Sequence, residues 1–169
     1  MTLLTFADDR PFAHGACFYR DQHPLERSSI SSMVLSIKTG SAQVLASVDT
    51  GGAYFVCDPD VAKTLSLSSH EAIGTEQLII RGIKYSGDLY RVDIQFLADA
   101  GTSLDLAVTA FVPRLLPGDE WHFPSFLGLQ GCLEFIRFAV DPASNTFFLG
   151  RRRNLRGQVT GASGSVGHF

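Results

Sequence analysis

Asp49 is the residue with the clearest potential for chemistry, because it lies in the stretch Val48-Asp49-Thr50-Gly51 at the end of an apolar strand. Alternating apolar residues predict that strand over residues 43–48. Gly51-Gly52 then breaks the strand, which resumes over residues 53–57. A carboxylate in a tight turn between two buried strands is costly unless hydrogen bonds support it or chemistry requires it. Asp49 is therefore a candidate catalytic acid, although Asp and Thr are also common in plain turns.

Most of the chain shows the pattern of short strands separated by turns, which predicts an all-β fold. The clearest alternation lies in residues 88–97, which follow a glycine-bounded hairpin tip at residues 82–87. One helix of about two turns is predicted after Asp58, with Pro59 at its first position. A second helical turn is predicted near residues 130–135. Further strands are predicted over residues 31–38, 76–81, 102–112, 125–128, 136–141 and 146–149.

The length of 169 residues fits one domain with a substantial core. Residues 1–30 show little periodicity and are predicted to form an N-terminal arm with at most one edge strand. The domain itself is predicted over residues 31–150. Residues 151–169 hold four arginines and no acidic residue among glycines and serines, and we predict a flexible basic tail.

Charge and hydropathy argue against two classes of partner. The net charge is −3, and the acidic excess is concentrated before residue 150, so the body is poorly suited to bind nucleic acid. No apolar run approaches the roughly 20 residues of a membrane span, and the N-terminus lacks a basic signal-peptide region. We therefore predict a cytoplasmic protein without membrane association. The three widely spaced cysteines are predicted to be buried, reduced hydrophobic residues.

Other catalytic and metal-binding patterns are weak. The five histidines show no spacing typical of metal ligands, and residues 119–122 (Asp-Glu-Trp-His) are predicted to form a solvated loop run. Residues 161–165 miss the pattern of a serine nucleophile, since residue 165 is serine and not glycine. The sequence therefore predicts neither a metal site nor a serine or cysteine nucleophile.

The order of the remaining features resembles the retropepsin-like aspartic proteases, particularly the single-domain bacterial members. An acidic turn comes first, a glycine-tipped hairpin follows, and an apolar-apolar-glycine step then leads into a short helix and a closing hairpin. The resemblance covers about residues 31–150. The segments that carry it are Val48-Asp49-Thr50-Gly51, Gly82 with residues 87–92, Phe126-Leu127-Gly128 with residues 129–134, and residues 137–150.

The resemblance implies an all-β, closed-barrel-like domain with one or two short helices. It also implies a homodimer, in which Asp49 from each of two subunits forms a catalytic dyad. Two carboxylates so close cannot both stay ionised and share a proton, so one activates a water while the other donates to the scissile carbonyl. The implied activity is endopeptidase cleavage of an extended peptide or protein, with no metal or organic cofactor.

The resemblance also implies roles for other residues. Thr50 would hydrogen-bond across the twofold axis, Gly51 would let the backbone donate to the carboxylate, and Gly128 would permit close packing. The hairpin over residues 76–97 would be a flap that covers the peptide. Its substrate-binding residues would be Gly82, Ile83, Tyr85 and Gly87.

Three features depart from the family pattern. Gly52 stands where Ala or Ser is usual, Ser47 places a hydroxyl in the apolar strand, and Leu129-Gln130 replaces a charged pair. They motivate an alternative, in which the chain is a catalytically silent protease-fold module for dimerisation or peptide binding. A third alternative, suggested by the aromatic content, is a β-barrel that binds small apolar ligands.

Overall fold

The computed structural model describes residues 2–26 and 32–152, and these form an all-β domain, which confirms the predicted fold class. In these ranges, α1 is the longest helix at six residues, too short to cross a membrane. Short 3₁₀ turns lie at Ser69–Glu71 and Leu133–Phe135. The elements are β1 Gly15–Phe18, β2 Val34–Thr39, β3 Ala42–Ala53, β4 Phe55–Val56, α1 Pro59–Thr64, β5 Gly74–Ile80, β6 Ile83–Phe96, β7 Ala100–Gly101, β8 Leu104–Pro113, β9 Ser125–Gln130, β10 Ile136–Asp141 and β11 Thr146–Arg151.

The larger of two sheets carries the candidate site. Its seven strands follow the order β2-β3-β9-β4-β8-β6-β5, and β2 also pairs with β6. That second pairing joins Ile37 to Phe96 and Thr39 to Ile94, so the sheet curves until strands from its two halves meet. The strand β5 stands at one end of the order and pairs only with β6 among the described strands.

The alternation in the sequence directs one face of this sheet into the core. In β6, Tyr90, Val92, Ile94 and Phe96 are buried, whereas Arg91 and Asp93 point outward. Burial of such a row is the main favourable contribution to folding of a curved sheet. The helix α1 begins as predicted, with the Asp58 side chain accepting a hydrogen bond from the Asp60 N–H at 2.7 Å.

The predicted N-terminal arm contributes a strand to the second sheet, whose order is β10-β11-β1-β7. Here β1 pairs with β11 along Gly15–Phe18 and with β7 at Gly15 and Ala16. It therefore lies between two strands, and the prediction of an edge strand in this segment is wrong. The flexible tail predicted over residues 151–169 lies mostly outside the described residues, which end at Arg152.

Candidate functional site

Asp49 lies where β3 passes alongside β9. The two strands are parallel, and the register places Val48 opposite Leu127 and Asp49 opposite Gly128. Asp49 is exposed, and its Oδ1 accepts a hydrogen bond from the Gly51 N–H at 3.1 Å. This backbone donor orients the carboxylate.

The chain around Asp49 is a bulged strand, and the predicted break at Gly51-Gly52 is displaced. The ladder with β9 shifts register between Asp49 and Ala53, and β3 ends only at Ala53, just before Tyr54, which has a φ of 64°. The Tyr54 N–H donates to the Gln130 carbonyl at 2.6 Å, so the chain turns where β9 can pair with it. Thr50 and Gly51 lie in this bulge and are exposed.

Gly128 is required by the close approach of this turn. Its N–H donates to the Tyr54 carbonyl at 2.8 Å, and a Cβ at position 128 would lie only 2.4 Å from that carbonyl oxygen. Any side chain would push the Tyr54 turn away from β9. Gly128 therefore allows β9 to pack directly against the turn at Tyr54 that follows the Asp49 bulge.

A cleft of about 310 Å³ opens beside Asp49. The β5 end of the β5–β6 hairpin forms one wall, and buried side chains of β4 and β9 form the floor. Among the described residues that line it, Asp49 is the single carboxylate and Arg81 the single cation. The lining residues are Asp49, Gly51, Gly52, Ala53, Val56, Leu78, Ile79, Ile80, Arg81, Phe126 and Gly128.

The hairpin brings different residues to this cleft from those predicted. Its tip is a two-residue turn at Arg81-Gly82, with φ values of 52° and 83°, and Ile80 pairs with Ile83. Ile83 and Tyr85 line a separate cavity of about 840 Å³, formed with the loop that follows β8. Of the predicted flap residues, only Gly82 lies in the turn itself.

Gly87 lies inside β6, where it pairs with Glu76 and Pro113, and not in the predicted tip. A Cβ there would lie 2.5 Å from the Phe111 ring and from the Val112 carbonyl oxygen. The glycine therefore makes room for β8. Because Gly87 is paired on both sides within the sheet, its location gives no support to the predicted role of a substrate-binding residue at the flap tip.

The hairpin packs against the loop that follows β8. The Tyr85 ring lies 5.3 Å from Trp121 and 6.3 Å from Phe123, both edge-on. Nearer its base, the nearly buried Asp88 carboxylate accepts hydrogen bonds from Arg114 Nε at 2.9 Å and from Arg114 Nη2. These contacts anchor β6, the strand that pairs with the β5 wall of the cleft.

The remaining titratable groups offer little alternative chemistry. Burial raises the pKa of the Cys17, Cys57 and Cys132 thiols to about 12, so none is a ready nucleophile near neutral pH. All three are buried and unpaired, as predicted. Within residues 2–26 and 32–152, no group of three or more His, Cys, Asp or Glu side chains is arranged to hold a metal ion.

The β5 residues that line the cleft were not among the site residues predicted from the sequence. Leu78, Ile79 and Ile80 are three consecutive apolar residues at the end of β5, and because side chains alternate along a strand, not all three can be buried in the core. Ile79 is 75% exposed as a result. That break in the alternation is the one sequence signal that could have drawn attention to this strand end.

Comparison with known proteins gives structural similarity at low sequence identity. The chain is similar to the crystal structure of a retropepsin-like aspartic protease from Rickettsia conorii, with a TM-score of 0.48 and 14% identity over 81% of this chain and 90% of that one. It is also similar to the retroviral protease-like domain of Ddi1 from Leishmania major, with a TM-score of 0.46 and 9% identity over 76% of this chain and 99% of that one. No protein-family model and no curated protein sequence matches the chain.

Proposed function

We propose that the chain is an aspartic endopeptidase that cleaves extended peptides, with Asp49 from two subunits as the catalytic dyad. The observation that carries the proposal is the position of Asp49. Its carboxylate is fixed by the Gly51 N–H and stands in a cleft walled by a β-hairpin. An acid, a backbone hydrogen-bond donor and a groove therefore lie together at this point of the sheet.

The cleft suits an extended peptide. The outer edge of β5 is unpaired among the described strands, so its backbone N–H and C=O groups are available for strand addition. The floor is apolar, with Val56, Ile80 and Phe126 all buried. A peptide lying along β5 would pair its main chain with that edge and place an apolar side chain against this floor.

A second copy would complete the chemistry. General acid–base hydrolysis needs one group to take a proton from water and another to give a proton to the scissile carbonyl. Asp49 is the single carboxylate among the described residues of the cleft, and it is exposed together with Thr50 and Gly51. Pairing two such exposed bulges would bring the carboxylates close enough to share a proton.

The test is cleavage of an unfolded protein or peptide library between pH 4 and 8 by wild type and by Asp49→Asn at matched concentrations. Asn keeps the size of the side chain and removes the carboxylate. We expect the cleavage rate to fall by about a thousandfold or more, with the fold unchanged by circular dichroism. Equal cleavage by both proteins would overturn the proposal.

The catalytically silent module is the competing function, and the same experiment separates it. If both proteins remain folded, neither cleaves and both bind the library peptides equally, the chain is a peptide-binding module. Gly52 motivates this comparison, because it stands where the family that the sequence resembles usually has Ala or Ser. A Cβ at position 52 would lie only 2.8 Å from Asp49 Oδ2. The Asp49 carboxylate could therefore not keep its present position beside Ala or Ser.

A further inference from the structure

An ion pair joins the tip of the β5–β6 hairpin to the N-terminal segment. Arg81 Nη2 donates to Glu26 Oε2 at 2.5 Å, across a separation of 55 residues in the chain. The Glu26 side chain is only 13% exposed and the Arg81 side chain 42%. Because the carboxylate is shielded from water, breaking this pair is more disruptive than breaking an ordinary surface pair.

Arg81 also faces the cleft. It is among the lining residues, and its guanidinium carbon lies 5.9 Å from the centre of the Phe126 ring on the cleft floor. A guanidinium over an aromatic face is a favourable contact. Arg81 therefore connects three parts of the molecule: the hairpin tip, the floor of the cleft and Glu26.

Glu26 is held in place by a structured turn. Its N–H donates to the His23 carbonyl at 2.9 Å, and Gln22 Nε2 donates to the Glu26 carbonyl at 3.0 Å. The buried His23 ring accepts from the Leu25 N–H through Nδ1 at 3.1 Å, which leaves Nε2 to donate to the Leu45 carbonyl at 3.2 Å. Because Leu45 belongs to β3, the turn is fixed to the strand that carries Asp49.

We infer that Glu26 is a positioning residue for the cleft. It lies outside the predicted domain of residues 31–150, and it holds Arg81 so that the β5 edge stays at a set distance from Asp49. For its effect on peptides, the inference rests on the proposed function. Its structural part, that the pair restrains the hairpin tip, stands independently of any activity.

Trypsin gives a substrate-independent test, because the bond after Arg81 lies in the hairpin turn. Cleavage there requires the Arg81 side chain to leave Glu26 and enter the protease. We expect Glu26→Gln to accelerate cleavage after Arg81 by about fivefold, followed by mass spectrometry of the full chain. Glu76→Gln is the matched control, since it removes one negative charge from β5 of the same hairpin. Among the described residues, the Glu76 carboxylate accepts a hydrogen bond only from the adjacent Gln77 N–H.

An unchanged trypsin rate in Glu26→Gln, or an equal rise in Glu76→Gln, would overturn the inference. Thermal unfolding of each variant shows whether the change is confined to the tip. If Glu26→Gln lowers the melting temperature, cleavage after Arg91, which is paired in the middle of β6, reports the contribution of global unfolding. The inference requires cleavage after Arg81 to rise more than cleavage after Arg91.

Peptide binding then tests the functional part. In an Asp49→Asn background, we expect Glu26→Gln to weaken binding of a fluorescent library peptide about fivefold. Asp93→Asn, which removes an exposed charge from β6 outside the cleft, should leave binding unchanged. With Asp49 intact, Glu26→Gln should raise KM by the same factor while kcat stays within about twofold. Faster trypsin cleavage without peptide binding or turnover would contradict the proposed function and leave the restraint of the hairpin established.

Discussion

Ser47 and Ser125 are buried serines on the neighbouring strands β3 and β9, and their hydroxyls have different surroundings. Ser125 Oγ accepts a hydrogen bond from the Asp58 N–H at 3.1 Å and so supports the start of α1. Ser47 Oγ has no hydrogen-bond partner among the described residues. A buried polar group costs free energy when it is unpaired and little when it is bonded.

The two serines should therefore respond in opposite ways to removal of the hydroxyl. We expect Ser47→Ala to leave the free energy of unfolding unchanged or raise it by up to about 1 kcal/mol. Ser125→Ala should lower it by about 1 kcal/mol or more, because the Asp58 N–H loses its acceptor. Urea denaturation of both variants measures the difference. A larger loss in Ser47→Ala than in Ser125→Ala would contradict this account.

At the scale of the elements, Gly74 and Gly87 of the β5–β6 hairpin differ in the space around them. Gly87 faces the Phe111 ring, and an added Cβ would lie 2.5 Å from it. Gly74, in the same hairpin, has open space, with the nearest atom Leu89 Cδ1 at 3.8 Å from an added Cβ. Both glycines are in extended, paired backbone, so space is what distinguishes them.

Gly87→Ala should consequently lower the free energy of unfolding by about 1–3 kcal/mol through overpacking. Gly74→Ala should change it by less than about 1 kcal/mol, with a tendency to stabilise because the unfolded chain loses freedom. Equilibrium unfolding in urea distinguishes them. If the two substitutions had equal effects, the packing role of Gly87 would be wrong.

The elements that the sequence predicted are those with local signals. Alternation located β6 and β8, and Asp58-Pro59 located the start of α1. The hairpin tip was misplaced, because its turn uses Arg81 with a positive φ, and arginine carries no signal for that conformation. Gly87 was mistaken for a turn residue because the packing of Phe111 against it is not visible in the local sequence.

The candidate site divides in the same way. Asp49 and the need for Gly128 follow from short motifs, since one carboxylate and one glycine are recognisable by type. The wall of the cleft depends on contacts between distant segments, such as Arg81 with Phe126 and with Glu26. No local pattern encodes such contacts, so Glu26 was assigned to an arm outside the domain.

For the molecule as a whole, the proposed chemistry makes subunit pairing part of the active site. If each site needs two Asp49 carboxylates, a dimer of one wild-type and one Asp49→Asn subunit retains a single carboxylate and loses the shared proton. Equal amounts of the two proteins, after free exchange, give wild-type dimers as about a quarter of the total. Independent monomers would instead retain about half the activity per total protein.

We therefore expect an exchanged equimolar mixture to cleave peptide at about a quarter of the rate of the same total concentration of wild type. Native mass spectrometry of differently tagged subunits confirms that exchange has occurred. A rate of one half despite complete exchange would show that one carboxylate per site suffices. Asp49 would then act within its own cleft, and the catalytic partner would have to come from the same chain.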